Sequence, residues 1–294
     1  YDTAFFDKRS KFVHYRPRTA VLNNLEFDHA DIFDDLEQIQ RQFHHLVRTV
    51  PGSGLIVSPL ADGNLHEVLD MGCWTPLEHF DPELEATWHA ANAAPDGSAF
   101  DVVCEGVVAG RIEWRLSGRH NVANALAALA AARHAGVPPA AGVEALCRFE
   151  NVKRRMELRG EVDGVRVYDD FAHHPTAIET TLHGLRAQVG AERILAVLEP
   201  RSNTMKRGVH ADRLAAALAG ADGVWLYAGP DLGWDARAAL VPLGPRAAVA
   251  GSTQAIVDAV ADIARPGDHV LVMSNGGFEG LHQRLLDALA ERAG

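Results

Sequence analysis

The sequence predicts an α/β protein of two domains, residues 1–150 and 151–294. Three observations predict it. At 294 residues the chain is longer than one hydrophobic core usually organises. Its second half alternates apolar, strand-like runs with helical ones, the pattern of an open and mostly parallel sheet. Polar clusters recur just past strands or at helix starts, where α/β sheets place ligands.

Composition narrows the class. The chain is 47% hydrophobic and 23% charged, with a net charge of −11 and no basic block. That argues against a general nucleic-acid or membrane-surface binder, though a local anion pocket remains open. The three cysteines, Cys73, Cys104 and Cys147, form no CxxC pair. They suggest a reducing compartment, the cytoplasm, and small buried roles. No apolar run is long enough to span a bilayer, and the N-terminus has no signal-peptide pattern.

In the first domain, Thr19–Leu25 reads as a buried strand after Pro17. Apolar residues from Ile32 to Val50 recur at helical spacing, which predicts a helix over Asp31–Val50. Pro51-Gly52 then stops it. Leu55–Ser58 reads as a strand and Asn64–Met71 as a short helix. Strands are favoured from Ala86 to Leu116. Phe100–Glu105 and Arg111–Leu116 alternate, with Gly106 and Gly110 near their turn. A glycine-containing turn, Ser117–Asn124, opens an alanine-rich helix, and another helix spans Pro139–Phe149.

The boundary falls near Glu150–Val152. Met156–Val162 and Val165–Asp169 form a strand pair turning at Asp163-Gly164. Helices at Thr176–Val189, His210–Gly220, Thr253–Ala264 and Phe278–Arg292 then alternate with strands at Arg193–Glu199, Gly223–Ala228 and His269–Ser274.

Four polar clusters stand out. Asn121 and Asn124 lie three apart, on one face of a helix's first turn. An amide carries a donor and an acceptor, as the edge of an adenine requires, and the free N–H groups beside them favour anions. A plain helix cap is the bland alternative. Asp28, His29 and Asp31 follow a strand and can hold a hard cation, or else cap the next helix. The third cluster is Asp169–Thr176 and the fourth Glu199–Lys206.

Together these clusters resemble the Mur ligases, the ATP-dependent amide-bond-forming enzymes of peptidoglycan synthesis. The marks are NLEFDHAD at Asn24–Asp31, GRHNVANALAA at Gly118–Ala128, RRM at Arg154–Met156 and DDFAHHPT at Asp169–Thr176. EPRSNTM at Glu199–Met205 and YDTAFFDKRSKF at Tyr1–Phe12 favour, within the family, a recycling activity. That activity joins UDP-N-acetylmuramate to the tripeptide L-alanyl-γ-D-glutamyl-meso-diaminopimelate. A sister activity adds single L-alanine and is the alternative. A non-catalytic fragment is another.

The resemblance implies a partial central ATPase-type domain followed by a Rossmann-like C-terminal domain. No G-x-x-x-x-G-K-[ST] occurs here, so the phosphate loop and the family's first domain are expected upstream of Tyr1. The chain alone is expected to be inactive. The resemblance also implies ATP and Mg²⁺ as cofactors. His29 matches a metal-ligand histidine, with Asn24 and Asp28 as neighbours. His120, Asn121 and Asn124 match adenine-side residues. Arg155 matches an arginine reaching the nucleotide, and Asp170 and His173 match nucleotide-closing residues; His174 stands less clearly. Arg201, with Asn203, lies where relatives read the incoming substrate; a surface arginine is its bland alternative. ATP is expected between the two domains, with a hinge near Asn151–Arg154.

Overall fold

The computed structural model describes residues 9–293, so most of the mark at Tyr1–Phe12 lies outside the described residues. The chain divides into two compact units, Tyr1–Phe149 and Glu150–Gly294.

In the first unit the elements run α1 (Phe12–Tyr15), β1 (Thr19–Val21), α2 (Leu36–Val47), β2 (Leu55–Pro59), α3 (Gly63–Asp70), β3 (Leu77–Asp81), β4 (Trp88–Ala91), β5 (Ala99–Cys104), β6 (Val107–Glu113), α4 (Arg119–His134) and α5 (Pro139–Cys147). Strands β1 to β6 lie side by side in chain order. The first four are parallel, and β5 and β6 continue antiparallel. Side chains alternate across this sheet, so neighbouring residues enter different cores. Leu55 and Val57 join Phe100, Leu126 and Leu129 beneath α4 and α5. Ile56 between them joins Leu46, Leu65 and Val68 beneath α2 and α3. Each fully buried side chain of this size contributes about 1.5–3 kcal/mol, so the two faces fix the strand ends that carry the polar clusters.

Several expectations change here: β3 was not foreseen, and the strand expected over Arg111–Leu116 runs from Val107 to Glu113. The first strand stops at Val21 rather than Leu25, because Leu25 leaves the ladder. Its N–H donates to Asp62 Oδ2 at 3.1 Å and its carbonyl accepts from Asn64 Nδ2 at 2.8 Å. The next helix starts at Leu36, not Asp31, because Asp35 is the residue that caps it, accepting from Gln38 N at 2.8 Å. Gly110 lies away from the hairpin turn, near a register shift of the pair. The turn itself is Glu105-Gly106, with φ of 51° and 78°.

The second unit runs β7 (Glu157–Val162), β8 (Val165–Asp170), α6 (Pro175–Val189), β9 (Ile194–Leu198), α7 (Asn203–Lys206), α8 (Ala211–Ala217), β10 (Gly223–Tyr227), α9 (Ala236–Leu240), β11 (Ala247–Ala250), α10 (Thr253–Ile263), β12 (His269–Met273) and α11 (Leu281–Ala293). Its sheet has the order β11-β10-β9-β12-β8-β7 and is parallel except for the β7–β8 hairpin. That hairpin turns at Asp163-Gly164, both at positive φ, as expected. Ala196 and Leu198 face Ile178, Leu182 and Leu214 on one side of the sheet. Leu195 and Val197 face Ile256, Val260 and Leu285 on the other. β11, α7 and α9 were not foreseen; each is only four or five residues long, too short for periodicity to reveal. The last helix begins at Leu281, because Phe278 and Glu279 turn to φ of 45° and 48°.

The described chain has no helix long and apolar enough to cross a membrane. All three cysteines are free, but only Cys104 is buried; Cys73 is half-buried and Cys147 exposed, so the expectation of small buried roles holds for one of them.

Candidate functional site

In the first unit the candidate groups gather at the start of α4 and after β1. Gly118 carries φ 95°, outside the range a side chain tolerates well, and its N–H donates to Asp96 O at 2.7 Å. Asn121 Nδ2 donates to Ser117 O at 2.7 Å, so this amide closes its own turn. Asn124 is exposed, and its Oδ1 accepts from Asn23 Nδ2 at 2.9 Å. The two amides therefore differ. Asn121 uses its NH₂ group within its own turn, whereas Asn124 uses its oxygen toward Asn23. Asn23 was not singled out from the sequence, although it adjoins Asn24, which is exposed beside it. His120 is half-buried next to Arg119, whose Nη1 pairs with Glu83 Oε1 at 2.8 Å. The first turn of α4 holds no acidic residue, which leaves its positive end uncompensated within the helix.

His29 is half-buried in the left-handed region at φ 55°. Its N–H donates to Asp28 Oδ1 at 2.7 Å, and its carbonyl accepts from Ile32 N and Phe33 N. Among the described residues no three His, Cys, Asp or Glu side chains converge as a metal site. The trio Asp28, His29 and Asp31 is thus not assembled as a cage: one carboxylate caps the backbone instead. A lone imidazole is also a poor partner for a hard dication that prefers oxygen. These residues do not by themselves fit Mg²⁺.

In the second unit the candidate groups lie at the C-terminal ends of β8, β9 and β12. β12 returns between β8 and β9, the kind of reversal in strand order that opens a crevice in α/β sheets. Asp170 is buried, at 3% exposure. Its Oδ2 accepts from Met156 N and its Oδ1 from Ala172 N, both at 2.8 Å. Burial pushes its carboxyl above the ordinary range, against these two bonds and Arg155. Both oxygens are engaged with backbone, which differs from the expected nucleotide-facing carboxylate.

That engagement bears on Arg155. Arg154 and Met156 sit at φ 60° and 50°, a strained pair flanking it. Asp170 holds the Met156 amide, while Phe171 N donates to Arg154 O at 2.9 Å. The turn so fixed leaves Arg155 exposed, its guanidinium 5.5 Å from the Phe171 ring centre. Arg154, whose guanidinium lies 5.1 Å from the same ring centre, is in addition tied to the loop after β12. Its Nη2 donates to Ser274 O and, at 2.7 Å, to Gly276 O. Its Nε lies 3.5 Å from Asp169 Oδ1, which His282 Nε2 also approaches at 3.3 Å. Burial raises the Asp169 carboxyl, but His282 and Arg154 together hold it below the ordinary range. A cavity of about 250 Å³ opens beside Arg154, Arg159, Asp169, Gly276, His282 and Gln283.

His173 is half-buried, its Nδ1 2.9 Å from Phe171 O and its ring edge-on to Phe171. A proton on Nδ1 in that bond leaves Nε2 as the free acceptor. His174 instead packs edge-on against buried His210, with ring centres 4.5 Å apart. Arg201 is about half exposed, with Nη1 4.0 Å from Glu199 Oε1. Asn203 is exposed at the start of α7, where Ser202 Oγ accepts from Met205 N at 3.3 Å. Ser274 and Gly276 complete this cluster and were missed, because only the fold brings them to it; Phe171 lies within the DDFAHHPT mark but was given no role there.

Fold and clusters together define a two-unit α/β protein with polar groups presented at strand ends and helix starts. Family models say which one. The Mur ligase middle domain matches residues 5–132, and the Mur ligase glutamate ligase domain matches residues 154–276. The chain belongs to the Mur ligase family. It is 54% identical over 294 residues to the UDP-N-acetylmuramate--L-alanyl-gamma-D-glutamyl-meso-2,6-diaminoheptandioate ligase of Escherichia coli K12, covering all of this chain and 64% of that protein. It is 32% identical over 300 residues to the UDP-N-acetylmuramate--L-alanine ligase of Symbiobacterium thermophilum, covering 96% of this chain and 62% of that protein. Among solved structures, a murein peptide ligase from Psychrobacter arcticus superposes with a TM-score of 0.72 at 46% identity, over 99% of this chain and 61% of that one. The chain thus spans somewhat under two thirds of the length of these relatives.

Proposed function

We propose that this chain is part of an ATP-dependent ligase that joins UDP-N-acetylmuramate to L-Ala-γ-D-Glu-meso-diaminopimelate in cytoplasmic cell-wall recycling, and so serves cell shape and division. The observation that carries the reading is the 54% identity along all 294 residues to a relative bearing that activity's name, against 32% to the L-alanine ligase.

In this reading the muramate carboxylate attacks the γ-phosphorus of ATP, ADP leaves, and an acyl phosphate forms. The tripeptide amine then attacks the acyl carbon, and phosphate leaves from the tetrahedral intermediate. Water must be excluded while the acyl phosphate exists, and crowded anions must be neutralised. Mg²⁺ would enter with ATP and supply positive charge there, with His29 and Asn24 beside it rather than as its cage.

Each remaining residue then has a role. Asn124 donates to the adenine edge and Asn121 accepts from it, with His120 alongside. Arg155 meets the phosphates or ribose from the turn that Asp170 holds, and His173 offers its Nε2 to the same ligand. Arg201 and Asn203 receive the tripeptide, the guanidinium pairing with a carboxylate.

The test is phosphate release by a protein carrying this chain at the full length of its relatives, given UDP-N-acetylmuramate, ATP and either the tripeptide or L-alanine. Faster release with the tripeptide is expected. Faster release with L-alanine would overturn the choice of substrate.

A further inference from the structure

Loop Ser274–Gly277 follows β12, and Glu199–Arg201 follows its neighbour β9, where Leu198 pairs with Met273. Gly276 is not at positive φ, so its backbone does not call for glycine. The space above it does. The three atoms that a β-carbon there would meet first all belong to Arg201: Nη1, Cδ and Cζ, the last at 2.5 Å. Real β-carbons do not approach other atoms this closely, so Arg201 lies flat on the bare face of Gly276.

The loop beneath is tied down by hydrogen bonds, so the side chain is what a β-carbon there would displace. Arg154 Nη2 donates to Ser274 O and Gly276 O, Gly276 N donates to Ser274 Oγ at 2.9 Å, and Ser274 N donates to Asp170 O at 3.1 Å. The Ser274 hydroxyl donates to Glu199, whose other oxygen is the one 4.0 Å from Arg201. One edge of the guanidinium therefore rests on protein while about half of the side chain faces solvent. A planar fork held so is prepared for a second carboxylate.

We propose that Gly276 is the seat of Arg201 and a specificity-determining position, holding the guanidinium for a carboxylate of the incoming peptide. This deepens the proposed function and rests on it. Gly277, next in the chain, would meet nothing within 4 Å if it gained a β-carbon, and it serves as a matched control.

The test titrates the tripeptide calorimetrically into the 294-residue chain and into Gly276→Ala, Gly277→Ala, Arg201→Ala and the Gly276→Ala/Arg201→Ala pair. In parallel, the rate at which an arginine-selective dicarbonyl modifies Arg201 is read by peptide mass spectrometry. Gly276→Ala is expected to weaken binding about tenfold, the scale of one charge-assisted contact, and Gly277→Ala to leave it unchanged. The double variant should bind as Arg201→Ala alone, because both changes remove one interaction. Arg201 should be modified several-fold faster in Gly276→Ala.

Parental affinity in Gly276→Ala, or additive losses in the pair, would overturn the seat. If Gly276→Ala fails to fold, the pair must recover folding, since it removes the clash; failure to recover would also overturn it. If the parent chain binds no peptide, the substrate reading is decided by phosphate release at the full length of its relatives, while the modification rates still decide whether Gly276 seats Arg201.

Discussion

Asn23 Nδ2 donates to Asn124 Oδ1 at 2.9 Å, across 101 positions of the chain. The contact joins the segment after β1 to the first turn of α4. With Asn124's oxygen accepting from Asn23, its NH₂ group is available to donate outward. If adenine binds here, its edge meets a donor from Asn124.

Nucleotide affinity should follow that polarity. Asn124→Ala is expected to weaken ATP binding about tenfold and Asn23→Ala by less, roughly threefold, since the latter frees the amide to rotate without removing it. Calorimetry on the chain, with and without Mg²⁺, measures both. Unchanged affinity in Asn124→Ala and in the Asn121→Ala/Asn124→Ala pair would place adenine elsewhere.

The acid limb of stability should carry the signature of Asp169. A carboxyl held below its ordinary range stabilises the fold above the unfolded-state pKa of about 3.9 and loses that contribution as pH falls through the folded value. Burial opposes this at Asp169, but His282 and Arg154 prevail. Asp169→Asn should therefore flatten the loss of stability below about pH 4, read by urea unfolding across that range. Its neighbour Asp170, pushed up by burial, acts in the opposite sense. Asp170 favours the fold most when protonated, and that contribution is lost as pH rises through its raised value.

Arg133 should matter to the first unit out of proportion to its place on α4. It lies over the ring of buried Trp88 at 5.1 Å and pairs with Glu78 Oε1 at 2.5 Å, while Trp88 Nε1 donates to Glu78 Oε2 at 2.7 Å. Arg133→Leu would strand a largely buried carboxylate. A loss of about 1–3 kcal/mol is expected. Equal denaturation midpoints for variant and parent would show the network to be dispensable.

Limited proteolysis should release the second unit, about residues 151–294, as the resistant piece. Its parallel strands lie between two large apolar clusters. The first unit begins its sheet with a three-residue edge strand, in which Val21 is 41% exposed. Earlier digestion of residues 151–294 than of 1–150 would contradict this.

Much of the fold was legible because it is written locally. The uninterrupted apolar run of Ile194–Leu198 and the helical spacing of Ile39, Phe43 and Leu46 need no knowledge of the rest of the chain. The Asp163-Gly164 turn follows from the positive φ that such hairpins demand. Where local signals conflict, boundaries slipped. Ile32 suited the helical stripe, yet Asp35 won the cap and Ile32 is 50% exposed.

The sequence by itself determined the α/β alternation, the division near residue 150, the family and which polar residues were worth watching. Only the tertiary structure decided what those residues do for one another. It turned Asp170 inward to hold the turn that displays Arg155, set Arg154 to clamp Ser274 and Gly276, paired Asn124 with Asn23, and left Gly276 bare beneath Arg201. The reason is physical. Periodicity reports which face of an element is buried, but a hydrogen bond or a close approach is chosen among partners as far as 122 positions away, and their meeting depends on how every strand between them packs.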